Sequence, residues 1–226
     1  ADNGHWSATS GGASCACVPN NTTDSLTFDA NSGTGTIVVS MPSGTLSATN
    51  ITASNFNGTL DFATSDNAVT IISSFTNSST VTRQLDMGDG TWTLSGVQAT
   101  WGIGTGTNLT LNANGSTIAF TGTASGQRRF QSGGKTYNVL TVNGTTNFPF
   151  VISGAPTIGT FTASAPNRLY FGAATTTTIT NFTDISGSSS SQVFISTDVL
   201  SNGVATISTG STWICDWCAF QGITAA

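Results

Sequence analysis

From Leu26 onward the chain is written in short segments in which apolar residues alternate with Thr, Asn or Ser, each closed within a few residues by Gly, Asn or Ser. A period of two places alternate side chains on opposite faces of an extended backbone, so the pattern predicts strands rather than helices. The segments are of two kinds. The first sets Asn or Thr against an apolar residue: Asn50–Phe56, Asn108–Asn112, Asn138–Asn143, Ile158–Thr162 and Ile179–Ile185. The second follows soon after and is more apolar: Thr59–Phe62, Thr91–Leu94, Thr117–Phe120, Phe148–Ile152, Arg168–Phe171 and Gln192–Ile195.

In the second half of the chain the pair recurs every 20 to 25 residues or so, a period typical of solenoid turns. The first half is looser, and its longer spacings imply insertions between strands. One such unit is too small to bury its own apolar face, whereas stacked units share a continuous core and pair each strand with the turns above and below. The expected fold is therefore all-β, a parallel β-solenoid (β-helix). Nine or ten turns at the strand spacing would make a rod on the order of 45 Å long, with Thr and Asn ladders along it. The alternative is a β-sandwich, which also shows strands at short intervals. Residues 1–24 carry Gly4, Ser10-Gly11-Gly12 and Pro19-Asn20 and read as a turn-rich N-terminal lead-in or cap. Residues 25–226 read as a single solenoid domain, with Ser186–Ser191 as a loop inside it.

Composition sharpens this picture. Thr and Ser supply 71 of 226 residues, there is no Glu, and Lys135 and His5 are the sole Lys and His. β-Branched residues suit a pleated sheet, and the scarcity of Glu, Lys and Gln removes the good helix formers. Only 7% of residues are charged, against about a quarter in an average domain, which argues against a highly charged disordered chain. The formal net charge of −5 argues against a nucleic-acid partner and against an anionic membrane surface. No apolar run approaches the roughly 18 residues of a membrane span. The Asn-x-Ser/Thr triplets, such as those at Asn57 and Asn77, follow from the composition and do not by themselves mark glycosylation.

Little in the sequence points to catalysis, a cofactor or a metal. Asp86 and Asp89, in Leu85-Asp-Met-Gly-Asp-Gly90, are the closest carboxylates to an acid/base pair or a Ca²⁺ loop, but Asp-Gly is a turn signature and no further acid lies nearby. Gly133-Gly-Lys-Thr136 ends like a phosphate loop, yet Arg129 occupies the position of its first Gly and a strand follows. Gly102-Ile-Gly-Thr-Gly106 lacks the helix of a dinucleotide site and reads as a turn. His5 stands alone, with no nucleophile elbow to serve. Arg128, Arg129 and Lys135 form the one basic cluster and read as a solvated loop. Trp92 and Trp213 lie in alternating segments and read as core. Trp101, Tyr170, Arg128 and Arg129 remain as candidate contacts to a surface glycan.

The four cysteines fall at the two ends, as Cys15-Ala-Cys17 and Cys215-Asp-Trp-Cys218. Zinc is disfavoured because Cys-x-Cys is an unusual ligand spacing. Disulfides are the default in an extracellular protein, and a bridge across Cys-x-Cys is expected to be strained. In a rod the two pairs lie too far apart to meet within one chain. A head-to-tail arrangement, in which the last pair of one subunit meets the first pair of the next, is therefore the expectation.

Several phrases carry a family resemblance. They are His5-Trp-Ser-Ala-Thr-Ser-Gly-Gly-Ala13 with Val18-Pro19 and Phe28-Asp-Ala-Asn-Ser-Gly33, the stretch Arg83–Gly96, and Arg129–Val142. Together they resemble a Thr/Ser/Gly-rich repeat domain of predicted phage structural proteins and large bacterial surface proteins. The resemblance implies a β-solenoid at an extracellular, virion or cell surface, and it brings no catalytic residues. This chain departs from the pattern at its Cys pairs and by stopping soon after Cys218. The expected function is that of a non-catalytic, self-associating structural subunit of a fibre, decoration layer or filament. The alternative is a glycan-binding adhesin.

Overall fold

The computed structural model describes residues 6–17, 21–41, 44–123, 125–143, 148–164, 167–187, 192–198, 204–210, 215 and 217–226. Among these the protein is all-β. The first strands are β1 (Ser25–Phe28), β2 (Thr36–Val38), β3 (Leu46–Ser54), β4 (Thr59–Asp61), β5 (Val69–Ser78), β6 (Arg83–Asp86) and β7 (Thr91–Leu94). Then come β8 (Thr100–Ile103), β9 (Leu109–Asn112), β10 (Thr117–Phe120), β11 (Arg128–Gln131), β12 (Thr136–Val142) and β13 (Pro149–Ser153). The last are β14 (Thr157–Ser164), β15 (Asn167–Phe171), β16 (Thr176–Ser186), β17 (Val193–Thr197), β18 (Ala205–Thr209), β19 (Cys218–Gln221) and β20 (Ile223–Ala225).

Strand pairs β1–β3, β3–β5, β5–β7 and β5–β8 are parallel, as are those of the later turns, which makes the fold a parallel β-solenoid of about seven turns rather than a sandwich. The sequence reading expected nine or ten turns. At the C-terminal end two faces run on together, β19 on β17 and β20 on β18. Residues that repeat along the chain stand directly above one another. Leu46, Val69, Trp92, Ile118, Leu140, Phe161 and Phe182 form one such column. Their spacing is 23 to 26 residues as far as Ile118 and 21 to 22 beyond it, so the insertions expected in the first half amount to a few residues per turn.

That shortening changes the cross-section. In the first turns a third face, β2-β4-β6-β9, stands apart from the main sheet. It ends at β9, because the next turn lacks the residues to build another strand there. The exposed edge is blunted instead: Lys135 Nζ donates to the Leu109 carbonyl at 2.6 Å. A covered edge offers less template for unwanted strand pairing. The early long strand β5 also bends, giving Val69–Ile71 to β7 and Ser74–Asn77 to β8.

The core is the set of inward side chains of successive turns. Phe75 stacks on Trp101 with ring centroids 4.2 Å apart, and Trp92 meets Trp101 edge-on at 5.6 Å and Phe62 at 4.6 Å. Tyr137 adds to this group at 4.8 Å from Phe130. Burying a large apolar side chain stabilises the fold by about 1.5–3 kcal/mol, and aromatic pairs add about 0.5–1.5 kcal/mol. The two indoles are satisfied as well. Trp92 Nε1–H donates to the Met87 carbonyl at 3.2 Å, and Trp101 Nε1–H donates to Tyr137 Oη at 3.3 Å. Burial pushes the Tyr137 phenol above its ordinary pKa, and its hydroxyl donates to the Ser132 carbonyl at 2.8 Å. At the N-terminal end Trp6 lies 6.0 Å from Phe28, edge-on and half-buried, with the Ser7–Ser14 bridge beside it.

Outside, the expected polar ladders are present. Asn50 Nδ2–H donates to Ser25 Oγ at 3.2 Å, and Ser74 Oγ–H donates to Asn50 Oδ1 at 2.8 Å. Thr162 and Thr183 join hydroxyls at 3.0 Å. These bonds repeat the backbone ladder in side chains and lock rotamers along the rod.

Candidate ligand-binding face

Strand parity decides which side chains reach a ligand. In β11 Arg128 and Phe130 point inward and Arg129 and Gln131 outward. In β15 Leu169 and Phe171 are buried, while Arg168 is exposed and Tyr170 half-buried. Register then assembles a grid. Arg129, Val151 and Tyr170 form one outward column, and Pro149, Arg168 and Phe194 form the next. Arg129 stands two rungs from Tyr170, about 10 Å, and Arg168 lies two residues before Tyr170 in the same strand, about 7 Å. Tyr170 meets Phe194 edge-on with centroids 6.4 Å apart. Arg129 Nε–H donates to Gln127 Oε1 at 2.7 Å, which orients the guanidinium.

Two of the four candidate glycan contacts therefore share one face, and two do not. Trp101 is fully buried against Phe75 and Trp92, so its ring is unavailable for stacking on a sugar. Arg128 is fully buried too, which corrects the reading of Arg128, Arg129 and Lys135 as a solvated loop. Arg128 Nη1–H donates to the Gly122 and Asn143 carbonyls at 3.1 and 3.0 Å, and the guanidinium lies 5.7 Å over the Phe150 ring. Desolvation lowers its pKa to about 10. Sequence reasoning missed Arg168, although Arg168-Leu-Tyr-Phe171 shows the alternation that puts Arg168 and Tyr170 on one side.

The remaining cations are tied to the fold. Arg83 is buried, and it donates to Asn77 Oδ1 and to the carbonyls of Val81, Thr105 and Thr107. Lys135 closes the β9 edge. Of the five Lys and Arg residues, Arg129 and Arg168 are the exposed ones, and both stand on this face.

The carboxylates are engaged by neighbouring backbone and side-chain donors. Asp86 and Asp89 do not form a pair. Asp86 ends β6 in a ladder with Asp61 and Asn112, accepting from Gln84 Nε2–H and Asn112 Nδ2–H. Asp89 sits in the following turn, where it accepts from Gly115 N–H at 2.7 Å and gives its own N–H to Asp66 at 2.8 Å. Asp61 accepts from Thr64 Oγ1–H, Thr64 N–H and Ala63 N–H, and these donors hold its carboxyl below the usual carboxylate range. Asp29 is lowered likewise, first by Ser10 Oγ–H and then by Asn31 N–H. Among the described residues no three His, Cys, Asp or Glu side chains gather in a metal-binding group. His5 and Trp213 lie outside the described residues.

The cysteines fall into two local pairs. Cys15 bonds to Cys17 and Cys215 to Cys218, with Cα–Cα distances of 5.1 and 5.7 Å, both inside the range a disulfide spans. Positive φ at Ala16 (51°) and Trp217 (59°) folds each short segment tightly enough to bring its sulfurs together. The spacing rule overlooked that turn. Within the chain none of the four cysteines is left free.

No family model, no curated protein and no solved structure matches this chain.

Proposed function

We propose that the protein is a non-catalytic structural subunit of a surface assembly, a fibre, decoration layer or filament of a virion or cell exterior, that associates with its own copies without covalent links. The observation that carries this reading is the use to which the polar chemistry is put. The described aspartates Asp24, Asp29, Asp61, Asp66, Asp86, Asp89 and Asp198 all accept hydrogen bonds in turns or ladders. Three of the five cations hold carbonyls. Such a chain spends its functional groups on rigidity, as a load-carrying rod requires. Two disulfides favour an oxidising, extracellular setting. The resemblance of the opening motif and of Arg129–Val142 to repeat domains of phage and bacterial surface proteins points the same way.

Concentration-dependent light scattering with negative-stain microscopy tests this. Defined oligomers or filaments that persist under reducing conditions are the expected result. A strict monomer at all accessible concentrations, or hydrolysis of a polysaccharide panel abolished by Asp61→Asn or Asp86→Asn, refutes it.

A further inference from the structure

We infer that the face built from Arg129, Val151, Tyr170, Arg168 and Phe194 binds a carboxylate-bearing saccharide chain. Charge placement is the first argument. The chain carries a net charge of −5, yet the two cations that its own carbonyls do not consume stand together on one sheet face. They lie one column and two rungs apart, roughly 12 Å between Cα atoms, a span that a short oligosaccharide covers.

The apolar ground between them is the second argument. Val151 is half-buried and lies directly between Arg129 and Tyr170 in their column. Tyr170 and Phe194 present half-exposed ring surface beside Arg168. A pyranose has an apolar C–H face that packs on such a saddle, while its carboxylate meets a guanidinium through paired, charge-assisted hydrogen bonds. The strands fix the spacing, so the site is largely preformed and little ordering opposes binding. Nucleic acid fits poorly, because two arginines on an acidic molecule neutralise too few phosphates for the affinity that such binding draws from them.

This inference goes beyond the structural role and stands or falls separately from it, since an inert assembly and a monomeric binder are both self-consistent. Calorimetric titration of the full chain with hexagalacturonate tests it, with maltohexaose as the neutral sugar and hexaglutamate as the acidic peptide. Binding of hexagalacturonate, weakened by added salt and at least about tenfold tighter than the other two, is the expected result. Arg129→Ala and Arg168→Ala should each weaken it about tenfold, and Arg129→Lys should not restore it fully, because the planar fork is lost. Tyr170→Ala should weaken it while leaving the salt dependence intact. All three positions are outward, and unchanged circular dichroism confirms that the variants fold. No detectable binding at millimolar hexagalacturonate overturns the inference. So does equal binding of either control, or a double Arg129→Ala/Arg168→Ala variant that binds like the parent.

Discussion

Truncating Arg83 should cost this protein more than truncating almost any other polar side chain. Arg83 is 2% exposed and reaches Asn77 Oδ1 through Nε, the Val81 and Thr107 carbonyls at 3.2 Å through Nη1, and the Thr105 carbonyl at 2.8 Å through Nη2. It joins the loop that leaves β5 to the loop that leaves β8, one turn further on. In Arg83→Ala the carbonyls of Val81, Thr105 and Thr107 lie near solvent and recover water. Asn77 does not, being 1% exposed, and its unsatisfied amide oxygen costs about 1–3 kcal/mol. The lost alkyl stem adds about 2 kcal/mol at roughly 0.8 kcal/mol per methylene. Release of the desolvated charge, the cause of the lowered Arg83 pKa, offsets part of this. A net loss of about 3 kcal/mol follows. Urea titration followed by tryptophan fluorescence is the assay, because the buried Trp92 and Trp101 lie in the adjoining strands β7 and β8. Turns of a solenoid couple mainly to their neighbours, so the loss should appear as early unfolding around these indoles. The reasoning fails if Arg83→Ala costs less than about 1 kcal/mol. It also fails if Asn77→Ala and Arg83→Ala are simply additive in a double-mutant cycle.

Other expectations are more local. The folded pKa values of Asp61 and Asp29 lie below their unfolded values, so their stabilisation is complete above pH ~4 and is lost as pH falls through the folded values. Thermal melts should therefore be flat near neutrality and decline in acid, less steeply in Asp61→Asn. A Cβ on Gly96 would sit 1.7 Å from the Ile72 carbonyl oxygen, whereas one on Gly35 meets nothing within 4 Å. Gly96→Ala should accordingly lower the melting temperature by several degrees and Gly35→Ala should leave it level or raise it slightly. Each disulfide closes a loop so short that its removal should cost at most about 2 kcal/mol in the chain-entropy account. Denaturing gels without reductant should show a single-chain band, and peptide mapping should return Cys15–Cys17 and Cys215–Cys218. A band of covalently joined subunits would contradict that pairing.

The β-solenoid was legible because its signal is repeated. Asn138–Asn143, Ile158–Thr162 and Ile179–Ile185 each show the alternation, and each fell within an observed strand or ran at most a residue past it. Repetition averages away local ambiguity, and a fold made of one unit many times over gives the sequence many chances to declare it. The site had no such help. Whether Arg128 or Arg129 faces solvent depends on a single step of strand parity, and a one-residue shift exchanges core for surface. Composition argues for two solvated arginines, since charged residues seldom bury. What overrides it is tertiary. Phe130 must stack in register with Trp101 and Ile152, and this commits Arg128 to the same inward side. The Gly122 and Asn143 carbonyls and the Phe150 ring then supply the partners that make the burial tolerable. Arg129 reaches the outer face for the same reason that Arg128 does not. The signal that locates it is the aromatic column beneath the strand, and not any property of the basic cluster itself.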